Sequence, residues 1–255
     1  MPEGDAVRRT AKRLDAALAG EVLTRADLRV PRFATADLRG WRVERTAVAG
    51  KHLLTRLTGP SGRLTLHTHL RMEGRWATGP AGTRPVAGPG WQIRAWLVGS
   101  SSQAVGLRLG NVDLVRTADE RQLVGHLGPD ILADDFDAVR AAARVAQEGS
   151  RPLAGALLDQ SVVSGLGTIW AAEAAFAAQA SPWTPAAQVP RLADALAQCR
   201  TAMQRSVQAA GRRDAPAYRV YGRAGQPCRR CATPIRSGRV GEPPRDRVAY
   251  WCLGC

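Results

Sequence analysis

The chain has 255 residues, 36 of them Lys or Arg against 22 Asp or Glu, which gives a formal net charge of +14. Hydrophobic residues at 45% suffice for packed cores and exclude a wholly disordered chain, and the length exceeds what one domain of ~100–200 residues needs. No apolar run approaches about 18 residues, so no membrane helix is expected, and the charged start MPEGDAVRRTAKRL lacks a signal-peptide core, which points to the cytoplasm.

In chain order the first predicted element is a helix over residues 5–19, where Val7, Ala11, Leu14 and Leu18 recur at helical spacing and Gly20 closes the segment. Short strand-like segments follow: EVLTRADLRV, WRVERTAVAG, HLLTRLT, RLTLHTHL, WQIRAWLV and QAVGLRL. Gly/Pro/Ser clusters such as GPSG separate them, a pattern of an antiparallel sandwich or barrel rather than of alternating βα units. Residues 112–141 then hold seven acids against three arginines, and Gly128-Pro129 punctuates them as a domain boundary would. Four helical segments come next: FDAVRAAARVAQ, PLAGALLDQSVV, TIWAAEAAFAAQ and RLADALAQCRTAMQRSVQAA. The last thirty residues return to turns and short strands. The expected class is α+β and multidomain. It divides into an N-terminal helix with a β-sandwich (1–115), an acidic linker (116–134), a helical domain (135–215) and a cysteine module (216–255).

The cysteines carry the clearest chemistry. Cys228-Arg-Arg-Cys231 and Cys252-Leu-Gly-Cys255 are two CxxC knuckles separated by twenty residues, which suits four thiolates on one tetrahedral zinc. Two disulfides or a redox pair are the alternatives; a chain without a secretion signal disfavours the first, and a redox motif needs no matched second pair. Cys199, within a helical pattern, reads as a small buried hydrophobe.

Positive charge concentrates in the same region: residues 200–255 hold twelve arginines and three acids. Arg223, Arg229, Arg230, Arg236, Arg239, Arg245 and Arg247 interleave with Tyr221, Tyr250 and Trp251 around the knuckles. Guanidinium binds phosphate oxygens in bidentate fashion, so this reads as a nucleic-acid clamp rather than only a solvated face.

Gly165-Leu166-Gly167 joins two helical patterns. It is either an anion site at a helix N-terminus or a plain packing corner. Pro2 follows the initiator Met, and removal of that Met leaves a secondary amine beside Glu3, able to form an iminium without a buried lysine. Proline is also common at helix starts. Only Lys12 and Lys51 are lysines. His67 and His69 alternate on a strand pattern, with no third metal ligand apparent, and read as structural or polar contacts.

MPEGD, GKHLL at 50–54, HLRMEG at 69–74, HLGPDILADDFD at 126–137, LLDQSVVSGLGTIWAAEAAF and the cysteine knuckles occur in one order along the whole chain. In that conjunction the chain resembles the formamidopyrimidine-DNA glycosylase / endonuclease VIII family of DNA repair enzymes, and MPEGD with HLGPDILADDFD is closer to the endonuclease VIII branch. The resemblance implies a monomer acting on damaged DNA, a helix–two-turns–helix over the GLG segment, and one structural zinc on Cys228, Cys231, Cys252 and Cys255. It implies a glycosylase and abasic-site lyase of base excision repair that removes oxidised bases, pyrimidines in that branch, by base flipping and β,δ-elimination. Pro2 is then the nucleophile at C1′, and Glu3 the acid that opens the deoxyribose and helps expel the base. Lys51 and Arg247 hold the DNA backbone, Gly167 and Thr168 contact phosphate, and Met72 fills the gap left by the flipped base. The family's second acid, usual at position six, is Ala6 here with Asp5 beside it. Thr168 replaces the usual asparagine, and the Arg-Arg-Phe wedge of the formamidopyrimidine branch is missing from RLGNVDLV. Two rival readings are a damaged-DNA binder without chemistry and an unrelated zinc-ribbon nucleic-acid module.

Overall fold

Val7, Ala11, Leu14 and Leu18 come onto one buried stripe in α1 (Gly4–Leu18), as their spacing requires. The computed structural model describes residues 2–83, 89–209, 217–243 and 246–255. Two compact units divide the chain, one of Pro2 with residues 6–126 and the other of residues 3–5 with 127–255.

Among the described residues of the first unit, eight strands form two antiparallel four-stranded sheets. They are β1 (Arg25–Leu28), β2 (Arg42–Ala49), β3 (His52–Gly59), β4 (Gly62–His69), β5 (Arg75–Pro80), β6 (Ile93–Val98), β7 (Ser102–Leu107) and β8 (Asn111–Arg116). One sheet runs β1-β6-β7-β5 and the other β2-β3-β4-β8. Leu53, Leu57, Leu66 and Val112 from the second sheet, Leu97 and Trp76 from the first, and the apolar stripe of α1 share one core. The sandwich expected from short alternating segments is present. Two strands had no sequence signal: β5 lacks alternation, and β8 sits in the acidic run, where its pairing with β4 is what makes it a strand. A short helix, α2 (Arg121–Val124), follows it, and Glu120 pairs bidentately with Arg56 of β3 at 2.8 and 2.7 Å.

The second unit is helical, with α3 (Ala138–Ala146), α4 (Leu153–Leu158), α5 (Thr168–Ala177) and α6 (Leu192–Gln208). Asp137 caps α3 by accepting from the amides of Val139 and Arg140. The helix expected over 152–163 stops at Leu158. There the Asp159 carboxylate accepts from the Ser161 amide and hydroxyl and pairs with Arg151, so the chain turns instead of continuing. Leu153, Leu157, Leu166, Trp170, Leu196 and Met203 centre the core. Cys199 is buried in it, and burial pushes its thiol well above the ordinary range. A hairpin of β9 (Ile235–Val240) and β10 (Arg247–Cys252) completes the unit, with Cys228, Ile235 and Cys252 packed on Ala172 and Phe176 of α5. Among the described residues no helix is long and apolar enough to cross a membrane.

Candidate functional site

The start of the chain is built into the second unit. Glu3 is 1% exposed, and its carboxylate accepts from the backbone amides of Gly167 (2.9 Å), Ile169 (2.7 Å) and Trp170 (3.2 Å). Gly167 is the N-cap of α5 and has no side chain to cap it, so Glu3 supplies the missing acceptor from across the sequence. Of the two readings left open for this turn, an anion site is therefore present, and its anion is the protein's own carboxylate. The Gly4 amide donates to the Gly165 carbonyl at 2.9 Å beside it. Gly165 takes φ +95°, and a Cβ on Gly167 would lie 2.4 Å from Glu3 Cδ. Both glycines of the turn are thus required, one by backbone conformation and one by space. Pro2 is half-buried immediately before this anchor, and Thr168 opens α5 half-buried. Asp5 is buried as well, and its carboxylate turns into the same unit, toward Trp170 and Ser206.

In the first unit the strand register gathers a second group. His52 of β3 faces His69 of β4, which faces Asn111 of β8; one step along, Leu54 faces His67, which faces Asp113. Strand alternation puts all of them on the face opposite the Leu53/Leu66 core. All four histidines of the chain meet here: His52 Nδ1 is 2.8 Å from His67 Nε2, His67 Nδ1 is 3.1 Å from Asp113 Oδ2, and the His69 and His126 rings lie 4.9 and 6.3 Å from that of His52. Burial, then the neighbouring cationic groups, pushes His52 down to about 3 and His69 to about 4. His67 is also lowered by burial, against the pull of Asp113. The His52, His67 and His69 rings are neutral at physiological pH, a polar network rather than a patch of charge. Lys51 occupies the β2–β3 turn after Gly50 and is 8% exposed, not the solvated surface lysine its type suggests. Met72 lies in the turn after β4 and is 66% exposed, next to Arg71 in the left-handed region. His52 and Asp113 were not singled out from sequence; the register alone reveals them.

The four knuckle cysteines converge. Their sulfurs lie within 4.8 Å of one another, with Cys228–Cys255 at 3.8 Å and Cys231–Cys252 and Cys231–Cys255 at 3.4 Å. These separations are too long for disulfides and approach the edge, about 3.8 Å, of a tetrahedron with metal–sulfur bonds of about 2.3 Å. Hydrogen bonds from the Thr233 hydroxyl and amide draw Cys231 down to about 6, whereas burial and the adjacent thiols push Cys255 to about 12. Four thiols this close cannot all ionise alone, and a divalent cation removes that conflict. The donor set fits zinc.

The arginines around the hairpin divide by role. Arg223 donates to the carbonyls of Arg219 and Pro227, Arg239 pairs with Asp246 at 2.7 Å, and the Arg230 guanidinium lies 4.5 Å from the Phe176 ring centre. These three are struts as well as charge. Arg247, the first residue of β10, is exposed along a groove with Arg151, Leu158, Asp159 and Val240. Arg245 lies outside the described residues. Glu173 of α5, which the sequence did not flag, accepts from the consecutive amides of Arg219, Val220 and Tyr221 and so fixes the strand of chain leading into the knuckles.

Comparison with known proteins agrees with this assembly. Residues 1–123 match the formamidopyrimidine-DNA glycosylase N-terminal domain, and residues 127–214 match the formamidopyrimidine-DNA glycosylase H2TH domain. The chain is 44% identical to a probable endonuclease 8 2 of Streptomyces coelicolor, over 100% of this chain and 94% of that protein. It is 40% identical to a DNA-(apurinic or apyrimidinic site) lyase of Mycolicibacterium smegmatis, over 100% and 98%. Its fold matches a Lactococcus lactis Fpg solved with abasic-site DNA at a TM-score of 0.83, with 21% identity and coverage of 100% and 99%.

Proposed function

The chain belongs to the formamidopyrimidine-DNA glycosylase and endonuclease 8 family, and on that premise we propose that it is a bifunctional DNA glycosylase and abasic-site lyase acting on oxidised pyrimidines. The observation that supports the reading is the anchoring of Glu3, the residue that follows Pro2 in the chain, on the N-terminus of α5.

With Met1 removed, the Pro2 secondary amine attacks C1′ of a nucleotide flipped from the duplex, and the damaged base departs with the bonding pair. Three N–H donors at a helix N-terminus favour the ionised carboxylate, so Glu3 first acts as acceptor. It takes the proton that the attacking amine loses and returns it to O4′ as the sugar ring opens. The resulting iminium acidifies the C2′ protons. Loss of one of them expels the 3′ phosphate in β-elimination, and a further elimination expels the 5′ phosphate. Lys51 and Arg247 hold the backbone phosphates, the Thr168 hydroxyl donates to another, and Met72 enters the space vacated by the flipped nucleotide. Gly167 contributes by admitting Glu3, since its amide is engaged there. Cys228, Cys231, Cys252 and Cys255 would hold a zinc ion that supplies rigidity to the β9–β10 hairpin. The enzyme works as a monomer in the cytoplasm.

The test is borohydride trapping with abasic DNA followed by peptide mass spectrometry. The expected adduct is on residue 2, lost when Met1 is retained. An adduct on Lys51, or undiminished trapping with Met1 in place, overturns the Pro2 mechanism. An excision panel of oxidised pyrimidines against oxidised purines tests the substrate class.

A further inference from the structure

Asp5 stands next to the position where the family usually carries a second acid, which makes it the obvious candidate to replace that group in proton transfer. Its surroundings argue otherwise. Asp5 is 4% exposed; Oδ1 accepts from the Trp170 indole Nε1 at 3.1 Å and Oδ2 from the Ser206 hydroxyl at 2.6 Å. Trp170 is 2% and Ser206 7% exposed, so both partners are as sequestered from water as the carboxylate itself. Each of its two oxygens is engaged, in a place that bulk solvent does not reach. A group so held is a strong tether.

We propose that Asp5 is a positioning residue for the N-terminal nucleophile, an inference that rests on the Pro2 reading above. Its carboxylate ties the Glu3–Asp5 segment to Trp170 on α5 and Ser206 on α6. The tie acts on the same residue that Glu3 uses: Trp170 donates its backbone amide to Glu3 at 3.2 Å and its indole N–H to Asp5. Two acids two residues apart thus grip one tryptophan by its main chain and its side chain. The Gly4 amide, between them, is bonded to Gly165. Release of Asp5 leaves Glu3 and the Gly4 amide bonded but loosens the short segment that they and Asp5 hold together. Pro2, one residue before Glu3, then loses its fixed direction of attack. Because the nucleophile must meet C1′ within a narrow range of distance and angle, the loss falls on the chemical step rather than on DNA binding.

The experiment uses the full-length, zinc-loaded protein with Met1 removed. The parent is first shown to trap abasic DNA through residue 2; failure at that stage would sink the Pro2 reading, and is thereby distinguished from a failure of the Asp5 tie. Single-turnover trapping at saturating enzyme is compared with equilibrium binding to DNA carrying an uncleavable tetrahydrofuran abasic analogue. Asp5→Ala is expected to slow trapping at least about tenfold while the dissociation constant stays within about twofold. Asp5→Asn, which keeps one acceptor for the indole, should recover part of the rate and slow trapping by only about threefold. Trp170→Phe removes the same indole contact, so Asp5→Ala combined with Trp170→Phe should be no slower than the worse single variant. Should Asp5→Ala fail to fold, Ser206→Ala carries the test, with a slowing of about threefold. Trapping by Asp5→Ala at the parent rate, a loss of rate matched by an equal loss of binding, or full additivity with Trp170→Phe would each overturn the proposal.

Discussion

Gly167→Ala adds one methyl group where the structure has no room for it. The backbone at Gly167 has φ −127° and ψ −161°, an extended conformation open to alanine, so the substitution is not strained in itself. The new Cβ would lie 2.4 Å from Glu3 Cδ and 2.6 Å from Cγ and Oε1, against about 3.4 Å for ordinary contact. Glu3 must therefore retreat by about 1 Å. Its bonds to Gly167, Ile169 and Trp170, now 2.9, 2.7 and 3.2 Å, cannot all survive that shift. Loss of one hydrogen bond to a charged group costs about 1.5–3 kcal/mol, equivalent to roughly 10- to 150-fold in rate if it is expressed in the transition state. Single-turnover trapping of abasic DNA should fall by that factor while the metal content of the knuckles is unchanged. Gly79→Ala in β5, where nothing lies within 4 Å of the added Cβ, is the control and should trap as the parent does. Parent-rate trapping by Gly167→Ala would refute the argument that Glu3 must sit on this helix end.

Cys252→Ser should lose zinc and DNA affinity together if, as proposed, a zinc ion on the four cysteines stiffens the hairpin that carries Arg247; metal analysis beside a binding titration checks it. Arg247→Ala should keep zinc and weaken binding without changing which base is removed, because phosphate contacts position and do not specify. The affinity should fall with salt at a log–log slope of about −0.9 per phosphate neutralised, one step shallower in Arg247→Ala, and a flat slope would make the net charge of +14 mere solvation. His52 and His69, pushed down to about 3 and 4, take up fewer protons folded than unfolded between pH 4 and an unfolded value of about 6.5. Stability should therefore be level above pH 7 and decline as pH falls below 6.5, read as a shift in urea midpoint, and His52→Asn should flatten that decline.

The family reading holds against the zinc-ribbon rival. A zinc ribbon of unrelated class does not match both the N-terminal and H2TH domain models. The structure also gives the unusual acidic pattern of MPEGD a cause, since both of its carboxylates serve as buried acceptors in one helical unit.

Periodicity and spacing alone were enough for α1, for six of the strands, for the helical half and for the pairing of the cysteine knuckles. Each of these depends on residues close in sequence, or on side chains whose chemistry admits few partners: an apolar stripe must be buried, and four thiols at CxxC spacing seek a metal. Tertiary structure alone decided the rest. β8 is a strand because β4 lies beside it, and the four histidines form one network because antiparallel register sets His52 against His69 and His67 against Asp113. The Gly165-Leu166-Gly167 turn was an open choice between anion site and packing corner until a carboxylate from 164 residues away filled it. No local propensity encodes such a contact, because its stability comes from unpaired amides at one end of a helix meeting an acceptor that only the folded chain delivers.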